Sequence, residues 1–298
     1  MIQKANLQVH RNMNILEFPS KKEIIEIPAE WDECSVSQVR YILNKAFCVM
    51  NGKLSLLDFK VHVFSKFTGV KFGLLHFVRE RLGMNKVINE RIFQFSELFC
   101  SWVFDKNVEG NIELNYRTIR NNFPVLNDKF FGPADLLADI TLNEFKTALS
   151  FLNQYFENCS DSDQGSLYLD YFIATIYRPK NCHGNRISFH KYIIEPSVFE
   201  NVHSWEKQMI AIWFLYCVRC LQEEDIVIDG IDVNLSVLFP KSSSNQNNSQ
   251  KASLGWTGII LDIAESGVFG DAESTGNTML YDILLYLLKK HQDQPKQK

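Results

Sequence analysis

The chain has 298 residues, 46% of them hydrophobic and 13% aromatic, with 23 phenylalanines, so it is too apolar for a disordered chain and long enough for one elaborate domain or two modest ones. A formal charge of -4, from 31 basic and 35 acidic residues, supplies no global attraction to phosphate backbones or anionic lipid, which leaves nucleic acid unsupported as a partner. Seven scattered cysteines, an odd number, suit small apolar side chains in a reducing compartment better than a disulfide framework.

The N-terminal segment alternates apolar and polar residues over Ile15–Phe18 and again over Ile24–Ile27, with turn chemistry at residues 19–22, which predicts a small β-hairpin. Pro28 closes it, and Trp31 is expected to pack on the first helix. Ser35-Val36-Ser37-Gln38 reads as a capping box before the apolar run to Met50, and a second helix is expected over Leu56–Phe67, followed by Gly69. Ile88, Ile92, Phe95, Phe99 and Trp102 recur at helical spacing and predict one core-facing stripe. Residues 112–116 suggest a short strand beside the first hairpin.

Pro124, Asn127, Gly132 and Pro133 interrupt the periodicity and mark a boundary between two lobes. A second capping box, Thr141-Leu142-Asn143-Glu144, opens a helix whose stripe runs Leu142, Phe145, Leu149, Leu152, Phe156. After a polar loop at 160–165 comes an apolar helix over Leu167–Tyr177, stopped by Pro179, and then a helix over Trp205–Leu221 that is apolar on nearly every side and central to its lobe. Residues 241–253, KSSSNQNNSQKAS, read as a flexible insertion. Two last helices, Trp256–Glu265 and Thr278–Lys290, flank a glycine-rich turn at Gly267–Asp271. These elements predict a mainly α protein (α+β): a helical bundle with a small N-terminal β-hairpin, in two lobes over 1–125 and 126–298.

No set of residues predicts a catalytic, cofactor or metal site. Cys217 and Cys220 have the spacing of a metal or redox pair, but they fall late in an apolar helix, and Cys182, His183, His190 and His203 add no paired spacing. Cys182-His183 with His190 invites a nucleophile and base, yet adjacent residues seldom reach each other, and a wet loop is the simpler account. Asp161-Ser162-Asp163-Gln164-Gly165 is a fragment of a calcium loop without its far bidentate Glu, and so reads as an acidic turn. Gly267-Val268-Phe269-Gly270-Asp271 lacks the lysine and preceding strand of a phosphate cradle and suits a helix C-cap. Glu223, Glu224 and Asp225, with Asp229 and Asp232, read as a solvated loop. The last helix is broader in its apolar stripe than one wet face allows, so Met279, Ile283, Leu284, Leu287 and Leu288 are candidate residues for a protein interface.

Several short signatures occur in a consistent order: Ile27-Pro28-Ala29-Glu30-Trp31-Asp32-Glu33; Gly132-Pro133-Ala134-Asp135 ahead of Thr141-Leu142-Asn143-Glu144-Phe145; Ile173-Ala174-Thr175-Ile176-Tyr177-Arg178-Pro179; then Gly255-Trp256 and Phe269-Gly270. In this the chain resembles a group of poorly characterised proteins from the tail-gene region of Bacteroidetes phages and prophages. The insertion at 241–253 interrupts the last part of the pattern. The resemblance implies a setting, virion assembly, and carries over no active-site residue.

The expected role is therefore that of a non-enzymatic phage or prophage assembly protein, a tail accessory or a chaperone-like holder of a tail protein. Its partners would be phage tail components or a second copy, with no cofactor. The N-terminus lacks the apolar stretch of a secretory signal and Met209–Val218 is about half a bilayer span, so no membrane association is expected and the host cytoplasm, or association with the virion, is the expected location. The alternatives are a host-side interaction or regulatory module, and an enzyme whose site is assembled from distant residues around Cys182, His183 and His190.

Overall fold

The computed structural model describes residues 13–18, 23–73, 78–79, 81–158, 162–193, 195–228, 230–239 and 255–293. Among them are nine α-helices and four two-stranded antiparallel sheets, a mainly α (α+β) arrangement. The turn at 19–22 and the insertion at 241–253 lie outside the described residues. The chain separates into two units, 1–118 and 119–298. The seam comes before residue 125 because the intervening residues are hydrogen-bonded into the second unit: Leu136 N donates to Ile119 O and Asn121 N to Asp135 Oδ1.

Unit 1 begins with β1 (Asn14–Phe18) and β2 (Glu23–Ile27), paired with Leu16 opposite Ile25. Alternation buries Leu16 and Ile27 and leaves Ile15 and Ile24 exposed. Helix α1 (Val36–Met50) starts at the full Ser35/Gln38 capping box, and α2 (Leu56–Thr68) is capped by Ser55 and ends at Gly69, whose φ of 68° a side-chain-bearing residue rarely adopts. Helix α3 (Lys86–Val103) buries Phe95, Ser96, Phe99 and Val103, while Ile88, Ile92 and Trp102 are half-buried. The strand expected beside the hairpin pairs elsewhere: β3 (Phe104–Lys106) continues directly from α3 and takes β4 (Ile112–Leu114) as its partner. The reason is local, since the Asn107 side chain accepts from the backbone N–H groups of Glu109 and Asn111 and folds the chain straight back. The core is a chain of rings: Phe67 on Phe99, Phe99 on Trp102, Trp102 on Trp31 and Trp31 on Tyr116, with centroids 4.7–5.1 Å apart.

Unit 2 opens on β5 (Val125–Leu126) and β6 (Phe130–Phe131), joined by a turn in which Asn127 and Asp128 both take positive φ. Helix α4 (Leu142–Glu157) carries the Thr141/Glu144 capping box and buries Leu142, Phe145, Ala148 and Leu152. Its stripe weakens along the helix, with Leu149 half-buried and Phe156 exposed. Helix α5 (Ser162–Ile176) starts earlier than the sequence suggests, so Ser162–Gly165 form its first turn rather than a loop that could wrap a cation. Helix α6 (Ser204–Glu223) is buried on most sides, and Trp213 Nε1 and Cys217 Sγ both point at Ile119 O. Strands β7 (Asp225–Ile228) and β8 (Ile231–Asn234) form a hairpin where a solvated acidic loop is expected, and Asp225 is tied to it by Asn234 Nδ2. Helices α7 (Gly255–Ser266), α8 (Ala272–Gly276) and α9 (Leu280–Gln292) close the unit. Backbone bonds from Leu142 N to Thr278 O and from Leu280 N to Ile140 O lock the start of α9 to the start of α4.

Gly132 sits where nothing larger fits: a Cβ there would lie 2.7 Å from the ring of Tyr177, which is itself buried and donates from its hydroxyl to Phe123 O. Gly132→Ala is expected to cost about 1–3 kcal/mol by overpacking. Thermal unfolding followed by circular dichroism checks this, and an unchanged midpoint would mean that Tyr177 yields freely.

Candidate functional site

The densest interior chemistry lies in unit 2, where three of the ordered sequence signatures meet. Glu144, fully buried at the third position of α4, receives both arms of the Arg178 guanidinium at 2.8 and 2.9 Å and one arm of Arg186 at 3.1 Å. Arg186 makes a second two-pronged contact with Asp139, at 3.0 and 3.2 Å. The remaining donors go to backbone carbonyls: Arg178 to Thr175 and Ile187, Arg186 to Ile176 and Asp139. Two cations face two carboxylates and every guanidinium nitrogen is used, with Arg178, Arg186 and Glu144 buried and only Asp139 reaching solvent. The cluster fixes the fold. Phe131 and Arg178 exchange backbone bonds, and between Asp135 and Asp139 the chain passes through Leu136 and Leu137, both with positive φ. That conformation is costly for leucine and is held here by Ile119 O and by the Tyr281 hydroxyl on Leu136 O.

The polar residues singled out in the sequence do not assemble. Cys182, His183 and His190 are all exposed and no hydrogen bond joins them; the first two sit at the apex of a tight loop in which Asn181 accepts from His183 N and Asn185 N. Cys217 and Cys220 are buried in α6, and burial raises both thiols, Cys220 to about 11, which opposes the thiolate that metal binding or redox exchange needs. No group of metal-ligating side chains occurs among the described residues. Gly267 caps α7 with φ 70°, and Asp271 caps α8, its carboxyl held below the usual range by hydrogen bonds from Ser274.

The apolar stripe of α9 divides. Ile283 and Leu284 are fully buried by unit 2 itself, a correction to their placement on an interface; Leu287 and Leu288 are half-buried, and Met279 is exposed. The stripe is broad because the helix packs against both α4 and the turn at Ser236–Leu238.

A different apolar surface stands open on unit 1. Ile15, Leu16 and Glu17 of β1 form one wall of a recess of about 470 Å³, and Arg91, Phe93, Gln94, Glu97 and Leu98 of α3 form the other. Phe93 is 65% and Ile15 61% exposed. Helix α3 thus presents large apolar side chains on two sides, one filling the core and one left over. The expected stripe accounts for the first only; Phe93 and Leu98, out of phase with it, are the signal for the second. Arg91 donates to Gln94 Oε1 at 3.1 Å, and with Glu17 and Glu97 they give the recess a polar half beside apolar Ile15, Leu16, Phe93 and Leu98, a lining suited to a partner that brings both an apolar side chain and polar groups. Comparisons of the chain with protein-family models, curated proteins and solved structures return no match. No helix among the described residues is long and apolar enough to cross a membrane.

Arg178→Met is expected to cost about 3–5 kcal/mol, because it leaves the buried Glu144 carboxylate with one of its two guanidinium partners, and urea denaturation measures it. A cost below about 1 kcal/mol would show that the cluster is looser than its geometry. Burial raises the thiols of Cys100 and Cys220 to about 11. Between their unfolded value of about 8.5 and that value the unfolded chain binds fewer protons than the folded one, so stability falls as pH rises across this window. Denaturation midpoints at pH 8 and pH 10 test the sign. In the same window iodoacetamide should reach Cys182 well before Cys217 or Cys220, as read by mass spectrometry of the native protein.

Proposed function

We propose that the protein is a non-enzymatic assembly component of a phage or prophage, which holds a segment of a tail protein in the β1–α3 recess of unit 1. The observation that carries this reading is the pair Phe93 and Ile15, both exposed and both lining one recess. Burying Phe93 on a partner is worth roughly 1.5–3 kcal/mol, enough to make it an anchor of a modest interface. The phage setting rests on the ordered resemblance. Its pieces at Gly132–Asp135, Thr141–Phe145 and Ile173–Pro179 meet around Glu144 and Arg178, which favours a shared way of folding unit 2 over a shared reaction. A host-side interaction module would use the same recess and differ only in what occupies it.

A photo-crosslinking phenylalanine analogue at position 93, in the full chain expressed in its native cell, tests both parts. The expected adduct is a virion-assembly protein, lost when Ile15→Asp is added. An adduct with a metabolic or regulatory host protein would overturn the setting, and no adduct above that of an exposed control position would overturn the recess.

A further inference from the structure

In a chain of formal charge -4, residues 34–73 hold six basic side chains, Arg40, Lys45, Lys53, Lys60, Lys66 and Lys71, against one carboxylate, Asp58. Asp58 is committed to the start of α2, where it accepts from Ser55 Oγ at 2.7 Å. Farther along the pair of helices, Tyr41 of α1 donates from its hydroxyl to the carbonyl of His62 in α2, at 3.3 Å. The ammonium groups of Lys45 and Lys66, one from each helix, lie 5.8 and 5.4 Å from the centre of the Tyr41 ring. Two like charges are thereby gathered on one aromatic side chain, and neither has a carboxylate partner among the described residues. Attraction to the ring offsets part of their repulsion and holds them in place. A bound anion would lower what repulsion remains.

Two further lysines stand at the two ends of α2. Lys53, in the turn before α2, and Lys71, beyond its end, are both exposed, and the thirteen residues of α2 separate them by about 20 Å. Asp32 and Glu33, the carboxylates nearest α1 in sequence, are engaged by Thr118 and by Ala29 N. The exposed apolar residues of these helices, Val36, Met50 and Leu57, fall at helix ends rather than beside Tyr41, which disfavours insertion into a lipid surface. We infer that the α1–α2 face is a nucleic-acid-binding track, on which Lys45 and Lys66, gathered by Tyr41, take phosphates of the strand while Lys53 and Lys71 extend the contact toward the two ends of α2.

The test is fluorescence anisotropy of the full chain with a labelled single-stranded oligonucleotide of about 20 nucleotides, and with its duplex, between about 50 and 200 mM salt. Binding is expected at low salt and should weaken as salt rises. Lys45→Ala with Lys66→Ala should lower the single-strand affinity about tenfold and reduce the log–log salt slope by about 1.4, the share of two phosphate contacts, with an unchanged thermal midpoint. Lys289→Ala with Lys290→Ala removes the same charge elsewhere and should leave the slope as it is. No binding at low salt, an equal loss in both double variants, or tighter binding to phosphatidylserine vesicles than to either oligonucleotide would overturn the inference.

Discussion

The shared carboxylate of Glu144 is the constraint on which unit 2 depends. A carboxylate and two guanidinium groups cannot be taken out of water without a partner for nearly every polar atom, since each uncompensated ion costs several kcal/mol. Here the partners come from four separate stretches of chain: the cap of α4, the end of α5, the loop that carries Arg186, and the turn at Asp139. The first three cannot shift without exposing a buried charge. The two leucines with positive φ between Asp135 and Asp139 show the strength of that grip, because a turn this unfavourable persists only where its surroundings leave it no alternative.

Unit 1 is built on another principle. Its interior is held by ring-on-ring contact from Phe67 through Trp102 to Tyr116, and none of its described charged residues is fully buried. Aromatic packing is less demanding than an ion-pair cluster about what lies on the far side of each helix. That tolerance lets α3 fill the core with Phe95 and Phe99 and still carry Phe93 outward. It likewise lets α1 and α2 turn Lys45 and Lys66 toward one tyrosine without a compensating acid.

Legibility in the sequence followed the range of the interactions. The starts of α1 and α4 were readable because a capping box is complete within four residues, and the end of α2 because glycine with positive φ is a local requirement. The β7–β8 hairpin also had a local signal, alternating residues on either side of Asp229-Gly230, which the concentration of acidic residues concealed. The pairing of β4 with β3 hinged on the Asn107 side chain and could not be told from composition. Glu144 is the instructive residue: three positions after Thr141 it reads as a capping residue, a role it does fill, but nothing local announces that Arg178 and Arg186 will bury it.

The α9 stripe and the α3 surplus show why apolar patterns identify interfaces poorly. Leu284 belongs to a stripe too broad for one wet face, yet it is buried, because the helix has covering neighbours on more than one side. Phe93 belongs to no stripe, and yet it is exposed. The informative feature is therefore not the width of an apolar face but a large side chain out of phase with a face already satisfied. Such a residue gains nothing from its own core and costs solubility while it stays wet. On α3 that residue lines a recess that Ile15 of β1, likewise large and exposed, lines from the neighbouring strand, so one partner side chain seated there would cover both.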